Sequence, residues 1–395
     1  MAPHPLDGGQ ARDRRARIAI GAVFLTNGAL FANLLPRLPE VKTDLGLSNA
    51  MLGGSVAAFS AGALIFGPAA GALVRRYQSA RVNLGTTLIL AAFVVTASAA
   101  PSAVTFAAAL FVAGAADAIT DVAQNVNALR LQRLYGRSII NSLHAVWAVG
   151  AVLGGLMAAG AIAVHLPRTL HLAVAAALFC AIALAAYPFL LHGPDHDDRP
   201  SAGRGAPTAR SAVYLVLLAL IGIAIAGATV EDAGSSWATL YLRDSLGAAG
   251  PVAALGYVAL VGAMCVGRLA GDGLVDRFGE RAVVRAGGVI TAAGMGAALA
   301  FPSVPGSIAG FAAAGLGVAT AVPAAMRAAD ELPGLRAGTG LTILTWLMRV
   351  GFLGAPLIVG VLADAAGLRV GLIMVVAAGL ALLALGGVLA GKARQ

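Results

Sequence analysis

The sequence predicts an all-α membrane protein whose twelve transmembrane helices form two pseudo-symmetric six-helix bundles. Hydrophobic residues make up 59% of the 395 residues and charged residues 11%, against about 45 to 50% and about 25% in soluble domains. Apolar runs long enough to cross a bilayer, roughly 20 residues each, recur along the whole chain. The longest polar interruption lies near the middle and separates two sets of six runs.

The twelve apolar runs define the expected domain boundaries. They lie near residues 18–38, 50–74, 82–101, 103–129, 139–164, 168–191, 212–242, 251–275, 282–301, 306–329, 338–364 and 368–391. Residues 1–17 are polar and basic, and the following run lacks a signal-peptide cleavage site, so we expect a tail and a retained first helix. We expect an N-terminal bundle over 18–191, a flexible linker over 192–211, a C-terminal bundle over 212–391 and a short tail over 392–395.

The Lys and Arg residues of the short connections concentrate on one side of the predicted membrane. With the N-terminus inside, the basic residues left outside are Arg37, Lys42, Arg168, Arg243 and Arg369. Positive charge collects in cytoplasmic loops, so we predict a multi-pass protein of the cell (inner) membrane with both termini cytoplasmic. Membrane orientation thus explains the net charge of +9 better than binding to nucleic acid does.

The two halves of the chain match at a constant offset of 201 residues. Leu45 and Gly46 correspond to Leu246 and Gly247, and the loop after the second run corresponds to the loop after the eighth. Two six-helix repeats related by an axis along the membrane normal, with a site near the midplane, are typical of secondary transporters.

A polar stripe lies in the fourth apolar run. Asp117, Asp121 and Asn125 follow one another at steps of four, and each step turns by only about 40° around a helix. A carboxylate near the bilayer centre costs about 3 kcal/mol or more, so the stripe should line an interior cavity. Burial and a like charge one turn away favour a protonated carboxyl. Asp121 and Asp117 are therefore candidates for proton coupling, with a structural hydrogen-bonding role as the alternative.

Further candidate residues carry polar or ionisable side chains inside apolar runs. His144 joins the proton-coupling set because histidine titrates near neutral pH. The candidate substrate-binding residues are Asn27, Asn33, Asn125, Asn141, Trp147, Glu231, Trp237 and Arg349. Bridging between helices or simple packing is the alternative for the amides and Trp147. For Glu231 and Trp237 the alternative is an interfacial position at the outer headgroups.

Two of these candidates stand out by their position in the second half. The polar, glycine-containing stretch 229–237 should not face lipid, so we expect it to unwind toward the cavity or its outer gate. Arg349 is the basic residue assigned to a membrane interior, and it needs a carboxylate, an anionic ligand or water. Asp117, Asp121 and Glu231 are its candidate partners, and the sequence leaves the choice among them open.

The loop after the eighth run carries a family signature. Residues 267–281 read GRLAGDGLVDRFGER, which resembles the Gly-x-x-x-Asp-Arg-x-Gly-x-Arg cytoplasmic signature of the major facilitator superfamily, with Asp272 in place of the leading glycine. In the first half, residues 71–78 read GALVRRYQ. The resemblance implies the twelve-helix fold of that superfamily and a cytoplasmic gate formed by Arg75, Arg76, Asp276 and Arg277.

A second resemblance concerns one branch of that superfamily. The stretch 121–125, DVAQN, is similar to the Glu-Thr-x-x-Asn-Pro element of the fucose:proton symporters. Residues 136–147 and 231–243 are similar to segments of the uncharacterised bacterial relatives of that branch. The resemblance implies a secondary transporter that moves a small polar solute, a sugar or an organic acid, by alternating access in symport with protons.

Two other classes of function stay open. A proton-driven exporter of drugs or metabolites has the same fold, but many exporters carry Gly-Pro-x-x-Gly-Gly in the fifth helix, where residues 150–155 read GAVLGG. The third class is a membrane-embedded enzyme or receptor. No nucleophile–base pair, metal-ligand spacing or phosphate loop stands out in the sequence, so we expect no enzymatic activity, cofactor or metal. The expected partners are the solute, protons and the lipid bilayer, and we expect a monomer.

Overall fold

The fold is helical throughout the part of the chain that the structure describes. The structure, a computed structural model, describes residues 5–135, 139–193, 211–333, 335, 339–389 and 391, with the side chains of 5–12, 141 and 211–212 outside this description. Twelve helical segments are long and apolar enough to cross a membrane. The prediction of an all-α fold with twelve transmembrane helices is therefore confirmed.

The described residues of the first half of the chain form eight α-helices. They are α1 (Pro5–Ala32), α2 (Leu38–Asp44), α3 (Asn49–Phe66), α4 (Ala70–Tyr77), α5 (Ser79–Ser98), α6 (Ala103–Tyr135), α7 (Ile140–Ala163) and α8 (Arg168–Ala186). Short 3-10 turns at Leu35–Arg37 and Gly67–Ala69 connect α1 to α2 and α3 to α4. Each turn contains a proline, which lacks the N–H that a continuous α-helix requires, so each of these spans is two helices in series.

Where the structure describes the second half, it contains another eight α-helices. They are α9 (Ser211–Leu240), α10 (Gly250–Phe278), α11 (Glu280–Ala300), α12 (Val304–Val318), α13 (Ala321–Asp330), α14 (Thr339–Ala366), α15 (Leu368–Gly371) and α16 (Ile373–Leu385). A π-helical turn at Tyr241–Ser245 follows α9. The expectation that 229–237 unwinds is wrong, because α9 stays helical through this stretch. Val230, Ala233 and Trp237 are buried there, so the segment packs against surrounding helices without any break in its backbone.

Several helices extend beyond the apolar runs that predicted them. Helix α1 begins at Pro5, well before Ile18, and α6 continues past residue 129 to Tyr135. Hydropathy indicates which part of a helix can lie in lipid, and it does not mark where the helix begins or ends. The polar ends continue as helix because Ala, Arg, Leu and Gln favour helical backbone whatever the solvent.

The offset of 201 residues reappears in the backbone of the turns. Gly46 and Gly247 both have positive φ angles, of 61° and 65°. Gln78 and Gly279, which follow α4 and α10, have φ angles of 74° and 83°. Matching left-handed positions at matching places support the prediction that the two halves are copies of one six-helix unit.

The chain divides into two compact units, residues 1–41 with 58–197 and residues 42–57 with 198–395. The sequence assigned 42–57 to the N-terminal bundle, whereas contacts tie this segment to the second unit. The Asp364 carboxylate accepts hydrogen bonds from the N–H groups of Asn49 and Ala50, each at 2.8 Å, and so caps the start of α3. Lys42 forms an ion pair with Asp244 at 3.1 Å.

Glycines bring helices into backbone contact within each unit. In the first unit, a methyl group on Gly28 would overlap the carbonyl of Trp147, and one on Gly150 would overlap the carbonyl of Leu25, so α1 and α7 touch through their main chains. In the second unit, Gly287 of α11 and Gly317 of α12 meet in the same way. Small residues that allow such close approach are typical of packed membrane helices.

Candidate functional site

The polar stripe of α6 has the geometry that its spacing predicts. Asp117, Asp121 and Asn125 occupy successive turns, with Asp121 exposed and the other two half-buried. Asn125 Nδ2 donates to the Asp121 carboxylate at 3.0 Å and to the Asp121 carbonyl at 2.8 Å. Asn125 therefore orients Asp121 on the helix surface.

Asn27 of α1 connects this stripe to a neighbouring helix. Its Nδ2 donates to Asp117 Oδ1 at 2.8 Å, and its Oδ1 accepts from Trp147 Nε1 of α7 at 2.9 Å. The side chain is only 5% exposed. Because Asn27 lies next to Gly28, the backbone contact between α1 and α7 sets the distance from the amide to the indole.

Gln124 joins the two carboxylates into one network. Its Nε2 lies 3.2 Å from Asp121 Oδ1 and 3.3 Å from Asn27 Oδ1, so one amide group donates hydrogen bonds to both acceptors. We call the six residues Asn27, Asp117, Asp121, Gln124, Asn125 and Trp147 the Asn27 network. Asn27 donates to the Asp117 carboxylate, and Gln124 and Asn125 donate to the Asp121 carboxylate. Amide groups such as these can also exchange hydrogen bonds with hydroxyl groups.

Three further predicted residues belong to the first unit. Asn33 is fully buried, donates to the Ala29 carbonyl at 2.8 Å and lies 3.0 Å from His171 Nε2 through its Oδ1. His144 is exposed, with its ring edge-on to Phe24 at 5.3 Å between centroids. The side chain of Asn141 lies outside the described residues.

The predicted gate residues lie at the ends of α4 and α10. Arg75, Arg76, Asp276 and Arg277 are all exposed. Arg76 and Arg277 occupy equivalent positions, and each guanidinium lies over the next aromatic ring, at 5.3 Å from the Tyr77 centroid and 5.2 Å from that of Phe278. Their role as a gate stays a prediction.

The second unit holds an ion pair that the sequence did not reveal. Arg268 Nη2 of α10 lies 3.2 Å from Glu231 Oε2 of α9, with the two side chains 31% and 21% exposed. Arg268 belongs both to the apolar run 251–275 and to the charged segment 267–281, which was treated as a loop. Helix α10 continues for ten more residues, to Phe278. Arg268 thus lies within a span, as does the half-buried Arg349 on α14. Arg349 is therefore not the one basic residue in this position. The signal available in the sequence was the apolar pattern of 269–275, which continues the helix past Arg268.

Trp237 does not offer an open platform for a solute. Its ring is 1% exposed, and its Nε1 is buried without a hydrogen-bond partner among the described residues. Within the same described ranges, no group of three or more His, Cys, Asp or Glu side chains is placed to hold a metal ion.

Comparisons with known proteins agree with the fold. The family model described as Major Facilitator Superfamily matches residues 20–272. The chain is similar to membrane protein MosC of Rhizobium meliloti, with 31% identity over 364 residues that cover 91% of this chain and 87% of the relative.

Two solved structures are similar to the chain as well. The crystal structure of the nucleoside transporter NupG aligns with a TM-score of 0.72 at 12% identity, over 95% of this chain and 98% of NupG. The crystal structure of a D-xylose-proton symporter aligns with a TM-score of 0.68 at 18% identity, over 92% and 96%. At such identities the likeness concerns the fold.

Proposed function

Since the chain belongs to the major facilitator superfamily, we propose that it moves a small polar solute across the membrane by alternating access, in symport with protons. The observation that carries the proposal is the Asn27 network, in which amide groups donate to Asp117 and Asp121 within a membrane-spanning helix. Ionisable side chains within membrane spans are costly, so their presence points to a role in transport.

Proton coupling follows from the charge of the two carboxylates. Asp117 and Asp121 lie one turn apart, about 6 Å along α6, and repel each other when both are ionised. Protonation of one of them relieves this repulsion. Protonation also removes a charge that would oppose movement of the site between its two open states. Asp121 is the more exposed of the two and is therefore the proposed coupling residue.

A hydroxyl-bearing solute fits the remaining groups of the network. Asn125 and Gln124 offer donors and acceptors, and the half-buried Trp147 offers an apolar ring face, the combination that sugar-like molecules require. The names of the two similar structures, a nucleoside transporter and a D-xylose-proton symporter, support the same solute class and, in the second case, protons as the coupled ion.

The proposal includes the setting in which transport occurs. We propose that the protein acts as a single chain in the cell inner membrane with both termini in the cytoplasm, as the distribution of Lys and Arg favours. Transport needs no enzymatic step and no bound cofactor.

Uptake into proteoliposomes tests this function. A panel of labelled sugars and organic acids is offered under an imposed pH gradient, and the parent protein is compared with Asp121→Asn. Glu331→Gln, which removes an exposed carboxylate in the turn after α13, is the matched control. We expect the parent and the control to accumulate solute, and Asp121→Asn to lose accumulation while it still exchanges solute at equal pH.

Two results would contradict the proposal. Equal accumulation by the parent and Asp121→Asn would remove Asp121 from the coupling mechanism. Absence of uptake by the parent, together with gradient-driven efflux of hydrophobic dyes, would favour an exporter.

A further inference from the structure

The Glu231–Arg268 pair lies deep within the membrane-spanning part of the second unit. At about 1.5 Å per residue, Glu231 lies about 27 Å from one end of its span and about 21 Å from the other, and Arg268 lies about 15 Å from the nearer end of its own. These distances refer to the spans Val213–Ser245 and Gly250–Phe278. Charges at such depth do not face lipid, so the exposed parts of both side chains must face a polar path.

Two polar atoms at or beside this pair have no hydrogen-bond partner among the described residues. Arg268 uses Nη2 for Glu231, while its Nε is buried and without a partner among the described residues. Asp232, the next residue of α9, has a buried Oδ2 that likewise lacks a partner in the described part of the chain. A buried polar atom without a partner costs about 1–3 kcal/mol. The arrangement therefore suits a ligand that supplies both donors and acceptors.

We propose that Glu231 and Arg268 bind neighbouring hydroxyl groups of a neutral polyhydroxylated solute, and that Arg268 determines this specificity. A hydroxyl group both donates and accepts, so one hydroxyl of a vicinal pair accepts from the guanidinium while the other donates to the Glu231 carboxylate. The ion pair persists, and neither charge is left without a partner. This inference rests on the proposed function and narrows its solute class.

A carboxylate solute fits the same site poorly. It would have to compete with Glu231 for Arg268, and binding would bring two carboxylates into contact in a region of low dielectric, where like charges repel strongly. The Glu231 carboxylate thus disfavours the binding of acidic solutes and favours the binding of solutes with neighbouring hydroxyl groups. Discrimination by an unfavourable charge contact is a common source of specificity.

Solute exchange without a pH gradient tests the proposed specificity independently of proton coupling. Proteoliposomes are loaded with unlabelled solute, and entry of labelled D-glucose, D-xylose and mannitol is compared with entry of D-glucuronate and D-gluconate. Glucose and glucuronate differ only in the oxidation of C6, which makes them a matched pair. We expect exchange of at least one neutral solute and of neither acid. Faster exchange of an acid, or no exchange of any neutral solute, would overturn the proposal.

Variants of Arg268 test its part in recognition. Arg268→Lys keeps the positive charge beside Glu231 but removes the planar fork, so the protein should fold while KM for the neutral solute rises about tenfold or more. Arg285→Lys changes an exposed arginine of α11 in the same unit and should leave KM unchanged. Glu231→Gln combined with Arg268→Gln removes both charges together, which avoids leaving a lone buried charge, and should also raise KM.

The outcomes separate this inference from the proposed function. An unchanged KM in Arg268→Lys would remove Arg268 from solute recognition, even if Asp121→Asn abolishes accumulation. Conversely, Arg268-dependent exchange of a neutral polyol together with equal accumulation by the parent and Asp121→Asn would uphold the inference and contradict the coupling role of Asp121.

Discussion

At the scale of single residues, Asn27 holds the polar network of the first unit together. It donates to Asp117 and accepts from both Gln124 and Trp147. Because only 5% of Asn27 is exposed, water cannot readily replace these bonds once the amide is removed. Loss of this one side chain therefore affects a carboxylate, an amide and an indole at once.

We predict that Asn27→Ala lowers the free energy of unfolding by about 1–3 kcal/mol and also lowers the transport rate per folded molecule. Unfolding in mild detergent and initial uptake rates measure the two effects. The matched control is Asn83→Ala on α5, because Asn83 is also buried but donates to the Thr120 carbonyl, outside the network. The control should lose stability and keep its transport rate. Equal loss of transport in both variants would mean that the Asn27 network acts only through stability.

The residue scale also shows where sequence reasoning reaches its limit. Helical periodicity placed Asp117, Asp121 and Asn125 on one stripe, because a step of four fixes a common face. Periodicity could not show that Asn33 contacts His171, since that contact joins the turn after α1 to α8 across 138 positions of sequence. A polar residue in an apolar run predicts that a partner exists, but the packing of helices decides which partner it is.

At the scale of secondary-structure elements, the connection between α4 and α5 carries backbone strain. Gln78 has φ 74° and ψ 143°, a conformation that costs a residue other than glycine about 1–3 kcal/mol. The equivalent Gly279 adopts φ 83° and ψ 152° without that cost. Gln78 Oε1 accepts a hydrogen bond from the N–H of Gly193 at 3.3 Å, which offsets part of the strain.

We predict that Gln78→Gly raises the free energy of unfolding by about 1 kcal/mol, because relief of strain outweighs the lost hydrogen bond and the greater freedom of glycine in the unfolded chain. Gly279→Gln makes the reverse change at the matching position and should lower stability by a similar amount. Thermal unfolding in detergent measures both variants. A lower midpoint for Gln78→Gly would show that the Gly193 contact is worth more than the strain.

The ends of elements were harder to predict than their existence. The segment 267–281, which includes Arg268, was treated as a loop because basic and acidic residues cluster from 268 to 281, as they do in cytoplasmic connections. Leu269, Leu274 and Val275 keep that stretch helical within α10. Charge alone does not separate a loop from the polar face of a long helix, and the ion pair with Glu231 was missed for that reason.

At the scale of the whole molecule, composition was enough to predict the architecture. A chain with 59% hydrophobic residues in runs of helical length has to form membrane helices, because no other structure satisfies the backbone in lipid apart from a closed barrel. Composition could not predict that residues 42–57 group with the second unit. Hydrogen bonds from the start of α3 to Asp364 accompany this grouping, and they join residues 314 and 315 positions apart.

The predicted orientation can be tested at the two ends of α5. In a background with Cys180 and Cys265 replaced by serine, Tyr77→Cys and Ala99→Cys place one thiol at exposed positions just before and just after this helix. With both termini in the cytoplasm, a membrane-impermeant maleimide should label Ala99→Cys in intact cells and Tyr77→Cys only after the membrane is opened. The opposite pattern would reverse the orientation of the whole chain.

The backbone contact between α1 and α7 has an evolutionary consequence. At Gly28 and Gly150 the two helices meet through peptide groups, whose dimensions are the same in every sequence. The spacing of these helices therefore does not depend on which side chains surround the contact, as long as the two glycines stay. Lipid-facing positions can then accumulate substitutions over many generations while Asn27 and Trp147 keep their relative placement. We expect related sequences to diverge fastest on those outer faces and slowest along this seam.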